Sequence, residues 1–133
     1  MAHSHQDKFS LSISVKPEDI DELGHVNNVV YVRWVQEVSA AHWAHVAPQE
    51  IKEKYLWVIL RHEIDFLKPA MPHDEITGYT WVGEHQGAKF ERFVSLYRGG
   101  TEELLASANT TWCLLDAQTM RPRRIEQELI DLL

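Results

Sequence analysis

The sequence predicts an α+β fold in which an antiparallel sheet of about five strands wraps one long central helix. Three features carry that expectation. Residues 29–46, "VVYVRWVQEVSAAHWAHV", run without Gly or Pro for about five helical turns and are apolar nearly all round. Alternating apolar segments of strand length follow. Gln-Gly and Gly-Gly pairs separate the later ones and suit antiparallel hairpins.

Taken in order, "FSLSISV" alternates Phe9, Leu11, Ile13 and Val15 with polar residues, the period of a half-buried strand, and Pro17 ends it. The long helix leaves only a narrow polar stripe, Arg33, Gln36 and Glu37 with Ala40 as a gap, so it is expected to be surrounded rather than to lie on a surface. "PQEIKEKY" reads as a short second helix. It leads into a long strand, "YLWVILRHEIDFLKPA", where Leu56, Val58, Leu60, Ile64 and Phe66 share a face interrupted by His62. "DEITGYTWVGEH", "AKFERFVSLYR" and "EELLASANTTWCLLD" complete four strands in meander. In the last, Leu104, Ala106, Ala108, Trp112 and Leu114 share a face. A curled sheet of this kind leaves edge strands and an open helix flank, and pairing two copies covers both, so at least a dimer is expected.

Composition bounds the rest. At 133 residues, 44% hydrophobic and 25% charged, the chain fits a single domain, residues 1–133, large enough to need no disulfide or metal staple. Cys113, alone and inside the apolar run "TTWCLLD", reads as a small buried hydrophobe and implies a reducing, cytoplasmic setting. No long apolar run or signal-like start opposes that. A formal charge of -7 argues against nucleic acid or an anionic membrane as the main partner. Arg121, Arg123 and Arg124 form a local basic cluster that either meets a phosphorylated ligand or solubilises a turn. His3 and His5 lack further ligands for a metal and read as part of a loose terminus.

The informative stretch is "DIDELGHVNNVVY", Asp19 to Tyr31, between the first strand and the central helix. Asn27 or Asn28 suits the helix cap, and the amides beyond it carry partial positive charge without internal partners. A developing oxyanion fits there. Gly24 permits a sharp turn, and Asp21 is a carboxylate able to act as base or nucleophile. His25 orients Asp21, polarises a carbonyl or, as is commoner for a histidine near a helix start, is structural. Each element has a plainer reading beside it: Asp19 and Asp21 as solvated turn residues, Glu37 as an ion-pair partner of Arg33, and Glu63 with Asp65 and Arg61 as a solvent-facing charge cluster.

"DIDELGHVNNVVYVRWVQE" resembles the signature of hot-dog-fold thioesterases of the hydroxybenzoyl-CoA thioesterase-like family, through Asp19, Asp21, Gly24, His25, Val26, Asn27, Asn28, Tyr31 and Glu37. "RHEIDFLKPAMPHDEI" resembles the family's second strand and the turn after it. The resemblance runs from Phe9 to about Asp116. It implies hydrolysis of a thioester between an acyl group and coenzyme A or an acyl carrier protein. Asp21 would be the catalytic carboxylate, His25 and Asn27 would orient the loop, and Gly24, Asn28, Val29 and Tyr31 would form the oxyanion and substrate-binding region, with Glu37 and Glu63 as further candidates. It implies no metal or redox cofactor, coenzyme A being part of the substrate, and subunits paired side by side as a homodimer or homotetramer.

Plant acyl carrier protein thioesterases share the "HVNN" run but have asparagine where Leu23 stands, so their carboxylate, asparagine and histidine arrangement does not carry over intact. Glu63 matches an acid in that plant pattern. Other readings are an acyl-thioester hydratase, whose Asp and His motif typically differs, and an acyl-thioester-binding module without turnover. Trp34, Trp43, Trp57, Trp81 and Trp112, with Tyr31, Tyr55, Tyr79 and Phe90, either line an acyl tunnel or fill the core. Lys68, Lys89, Arg92, Arg98 and the Arg121 to Arg124 cluster are candidate contacts for coenzyme A phosphates.

Overall fold

The computed structural model describes residues 8–133, so His3 and His5 lie outside the described residues. Strand β1 (Phe9–Ser14) runs into a 3-10 turn (Pro17–Asp19), and the long helix α1 (Asn28–Val46) follows after a loop. A short helix α2 (Gln49–Lys54) leads to β2 (Tyr55–Phe66), β3 (Glu75–Gln86), β4 (Lys89–Arg98) and β5 (Leu104–Asp116), and α3 (Gln127–Leu132) closes the described chain. All five strands join one antiparallel sheet in the order β1-β3-β4-β5-β2.

That order corrects the expected meander. β3, β4 and β5 are consecutive neighbours, but β2 pairs with β5 at the far edge, so the link after Phe66 crosses the end of the sheet to reach β3. Leu67 and Lys68 amides donate to Leu105 O at 2.8 and 3.1 Å, and the Val15 amide donates to Asp74 O at 3.1 Å beside β1. Such a crossing needs about eight residues and leaves no signature in local periodicity.

Two irregularities overturn the expected strand faces. The β2–β5 register shifts between Ile59 and Arg61, so Trp57 and Ile59 align with Leu114 and Trp112 before the bulge, while His62, Ile64 and Phe66 align with Thr110, Ala108 and Ala106 after it. Leu56 and Val58 therefore do not share a face with Ile64 and Phe66, because the extra residue exchanges the two sides of the strand. A second shift pairs Leu104 with Tyr97 and Leu96 with Ala106, which separates Leu104 from the inner row and buries Leu105 instead. α3 buries Leu129, and Ile125 just before the helix is buried with it.

α1 packs over β1, β3 and β4. Its buried side is Val30, Tyr31, Trp34, Val35, Val38, Ser39 and His42, while Val29 is 72% exposed and Arg33, Gln36, Glu37 and Ala40 also face out. The helix is thus not surrounded, and one side of it is exposed. Contact with β3 is closest at Gly78, where a methyl group would sit 2.5 Å from Val38 Cγ2. Only glycine lets the helix settle there.

Beneath α1 the sheet carries a buried polar row. Arg92 Nη1 donates to Thr80 Oγ1 at 2.9 Å and to His42 Nδ1 at 3.0 Å. Across β5 and β2, Thr110 Oγ1 and His62 Nδ1 are 2.8 Å apart. Burial first, then the Arg92 charge and His45, push the His42 pKa down to about 4.

Gly78→Ala is expected to lose about 1–3 kcal/mol through overpacking against Val38, read as a lower urea midpoint with unchanged slope. His42 supplies a pH dependence. An unfolded chain protonates it near 6.5 and the folded chain only near 4, so the unfolded state takes up the extra proton and stability falls as pH drops through that window. His42→Gln should decline less steeply over the same range in urea melts, and identical slopes for the two proteins would refute the assignment.

Candidate active site

The acidic loop is built by its own hydrogen bonds. Ile20 and Val26 face each other as an isolated bridge, and between them the Asp21 amide donates to His25 O at 2.9 Å while the Gly24 amide donates to Asp21 O at 3.0 Å. Gly24 sits at φ 87°, the left-handed conformation in which a side chain is strained. Asp21 Oδ1 accepts from the Leu23 amide at 2.9 Å and lies 4.0 Å from His25 Nδ1, too far for a hydrogen bond. His25 Nδ1 is buried without a partner. Carboxylate and imidazole are therefore neighbours held by the backbone, with Leu23 exposed on the turn between them.

Asp19 plays a different part. Against its reading as a solvated turn residue, it is buried, with Oδ1 3.0 Å from Arg33 Nη2 and Oδ2 accepting from the Lys16 amide at 3.0 Å. Its carbonyl accepts from the Asn27 amide at 3.0 Å. Arg33 is held firmly protonated by that hydrogen bond. Asp19 thus clamps both ends of the loop and is not available for chemistry.

Asn27 is the helix cap: its Oδ1 accepts from the Val29 amide at 3.0 Å, and its carbonyl accepts from Val30 at 2.9 Å. The Val29 amide is thereby taken. The Asn28 amide, one residue earlier, has no protein partner among the described residues. It is the donor at this helix end that remains open to an oxyanion.

Beside it lies a cavity of about 290 Å³ lined by His25, Asn28, Tyr31, Phe66, Leu67 and Lys68 among others. Tyr31 does not present its hydroxyl there as a free donor. The hydroxyl donates to Lys68 O at 3.1 Å and accepts from the Ala70 amide at 2.6 Å, and burial raises its pKa. Ala70 O in turn accepts from the Val26 amide at 2.9 Å, so the crossing segment after β2 braces the acidic loop. Sequence reading had no signal for that bracing.

The structure gathers Asp21, Gly24, His25, Asn27, Asn28, Val29 and Tyr31 at one end of α1. It does not bring in Glu37, whose Oε1 is 3.3 Å from Arg33 Nε on the exposed flank, or Glu63, which pairs with Arg61 at 2.8 Å on the side of the sheet away from the helix. Among the candidate phosphate contacts, Arg92 is buried, Arg98 is held by Asp74, Glu103 and Pro69 O, and Arg123 lies 2.8 Å from Asp116. Lys68, on the cavity rim, lies 4.0 Å from Glu103 Oε1, and Lys89, Arg121 and Arg124 are exposed away from this cavity. Among the described residues no group of three or more His, Cys, Asp or Glu side chains is placed to hold a metal, and no helix is long and apolar enough to cross a membrane.

Residues 15–133 match the model of the thioesterase-like superfamily. The chain belongs to that family. It is a thioester hydrolase with the hot-dog fold. The 1,4-dihydroxy-2-naphthoyl-CoA thioesterase of Synechocystis has the same fold, with a TM-score of 0.80, 18% identity and 94% of each chain covered. The probable thioesterase YbaW of Escherichia coli gives 0.79 at 19% identity, covering 93% of this chain and 95% of its own. A probable thioesterase of Bartonella henselae gives 0.76 at 24%, covering 90% and 98%. No curated protein matches the thioesterase chain in sequence.

The two aspartates should separate in stability measurements. Asp19→Asn removes a buried charged partner and is expected to cost about 1.5–3 kcal/mol. Asp21→Asn keeps an oxygen acceptor for the Leu23 amide and should stay within about 0.5 kcal/mol of wild type. Denaturant unfolding of both variants checks this, and equal losses would mean that Asp21 is structural.

Proposed function

We propose that the protein hydrolyses an acyl-CoA thioester, with Asp21 as nucleophile or as general base for water. The observation that supports it most is the juxtaposition at the start of α1: a carboxylate loop folded against a helix end whose Asn28 amide is unpaired, beside a cavity. In this reading the thioester oxygen rests on the Asn28 amide as negative charge develops, and Asp21 attacks the carbonyl carbon or takes a proton from the attacking water. The C–S bond breaks and coenzyme A leaves as thiolate; on the nucleophilic route this leaves an acyl anhydride on Asp21, which water then cleaves to release the free acid and restore the carboxylate. Because thiolate is a good leaving group, the reaction needs no strong acid, metal or organic cofactor. His25 and Asn27 hold the loop and the cap. Lys68 on the rim is a contact for the coenzyme A phosphates.

The working unit in this reading is a homodimer, and a homotetramer if outer sheet faces also meet. β2 is a 12-residue edge strand, and Leu60 on it is 53% exposed, with Leu56 and Phe66 also out and Val29 bare on the adjacent helix flank. A second copy covers both at once. A cytoplasmic setting accords with Cys113, which is free and buried.

Free thiol release from short, medium, long and aromatic acyl-CoAs tests the reading. Wild type should release thiol from at least one class, and Asp21→Asn, folded, should be slower by about a hundredfold or more. A full rate in Asp21→Asn would remove the aspartate from the mechanism. Release only from acyl carrier protein thioesters would move the substrate to that carrier, and saturable binding without release would make this a binding module.

A further inference from the structure

A second cavity lies away from the acidic loop. It has a volume of about 330 Å³ and lies at the other half of α1, between Trp43 and the inner sheet face, with Tyr55, Trp57, Phe90 and Trp112 as further aromatic walls. Arg92 also lines it. On the inner face of β4, Phe90, Arg92, Val94 and Leu96 are all buried in alternation, so this guanidinium stands where a core hydrophobe is expected.

Arg92 is a buried cation without a counter-ion. Nη1 donates to Thr80 Oγ1 and His42 Nδ1, both neutral acceptors. Among the described residues, Nε and Nη2 have no hydrogen-bond partner, and no carboxylate lies within ion-pair distance. Burial lowers the Arg92 pKa to about 10, which leaves it charged at neutral pH. A buried charge normally persists only when paired, because desolvation costs several kcal/mol or so per ion. The chain has 20 acidic residues, and none of those among the described residues forms an ion pair with Arg92 or lines this cavity. Trp112 adds to the imbalance, since its Nε1 is buried with no acceptor. Lys52 stands on the lining as a second cation, and no acid lines the cavity.

An apolar chamber that offers donors and positive charge, and no negative charge, is complementary to one kind of guest. We propose that this cavity binds an apolar group ending in a carboxylate, with Arg92 as its counter-ion, so that the preferred substrates are thioesters whose acyl chain carries a second carboxylate at its far end. The identification of the guest as an acyl chain rests on the thioesterase reading above; the affinity of the cavity for a carboxylate does not. Asn28 and Ala40 are twelve residues apart on α1, about 18 Å along its axis, which sets the scale of chain that joins the two ends within one protomer.

Equilibrium binding separates the two ideas. Wild type is titrated with octanoate and with octanamide, equal in length and differing in charge, and followed by calorimetry and tryptophan fluorescence. Octanoate should bind at least about tenfold more tightly. Arg92→Met, which replaces an uncompensated buried charge by an apolar side chain of similar length, should fold and lose that preference, while Arg92→Lys keeps part of it and Lys52→Met keeps most. Equal affinity of the two probes for wild type, or no binding of either, overturns the proposal without any variant. A preference that survives in Arg92→Met, or vanishes in Lys52→Met, overturns it as well. In thiol release, ω-carboxyacyl-CoAs should be preferred over plain acyl-CoAs of the same chain length. Octanoate preference without thiol release from any thioester would leave the cavity assignment standing and sink the hydrolase reading of the site, and thiol release with equal probe affinities would do the reverse.

Discussion

The Tyr31 hydroxyl is the point on which the N-terminal half of the molecule depends. It donates to Lys68 O and accepts from the Ala70 amide, and Ala70 is fully buried, so without the phenol that amide would be desolvated with nothing to bond. Ala70 then passes the constraint on, because its carbonyl receives the Val26 amide at the end of the acidic loop. Helix, crossing segment and loop are thereby fixed to one another through a single side chain. Tyr31 also stacks on Trp34 and Phe66, with ring centroids 5.4 and 5.6 Å away, which sets its orientation before the hydroxyl is used. A phenylalanine could fill the space and would leave the loop unbraced.

The crossing itself follows from where the sheet ends. With β2 beside β5 and β1 beside β3, both edges belong to strands that precede the meander, and the chain passes the start of α1 to get from the β2 edge to β3, next to the opposite edge. That passage places Phe66, Leu67 and Lys68 opposite His25 and Asn28, and so creates the cavity next to the open amide. A hairpin between β2 and β3 would have left the helix end facing solvent. The topology is therefore part of the site's chemistry.

Much of this was legible in the sequence, and the reasons for the rest are physical. Asn27 as cap, Gly24 as the turn and the Arg33 pairing with Glu37 are local, set by residues within four positions, and the residue types announce them. The partner of β2 is non-local, and antiparallel alternation looks the same whichever neighbour it serves. Bulges hide for a related reason: Leu60 continues the apolar run in sequence while the register shift around it exchanges the faces. Asp19 and Asp21 look equivalent in "DID", and only burial separates the clamp from the candidate catalyst. Arg92 read in the sequence only as one of several candidate contacts for coenzyme A phosphates, because a long basic side chain is ordinarily assigned to solvent, and its inward position beside Phe90, Val94 and Leu96 became visible only with the fold.

The near-complete apolarity of α1 can now be assigned to two separate demands. One side, from Val30 to His42, packs over β1, β3 and β4, and Val38 against Gly78 shows how closely. The other side faces out and carries Arg33, Gln36 and Glu37, with Val29 and Ala40 as its apolar members. It joins two concave regions, the first holding an unpaired amide and a carboxylate loop, the second an aromatic chamber with an unpaired guanidinium. On the two proposals made above, the first would receive developing negative charge on an oxygen and the second a charge already present, so the two ends of one helix would divide the recognition of a single substrate between them.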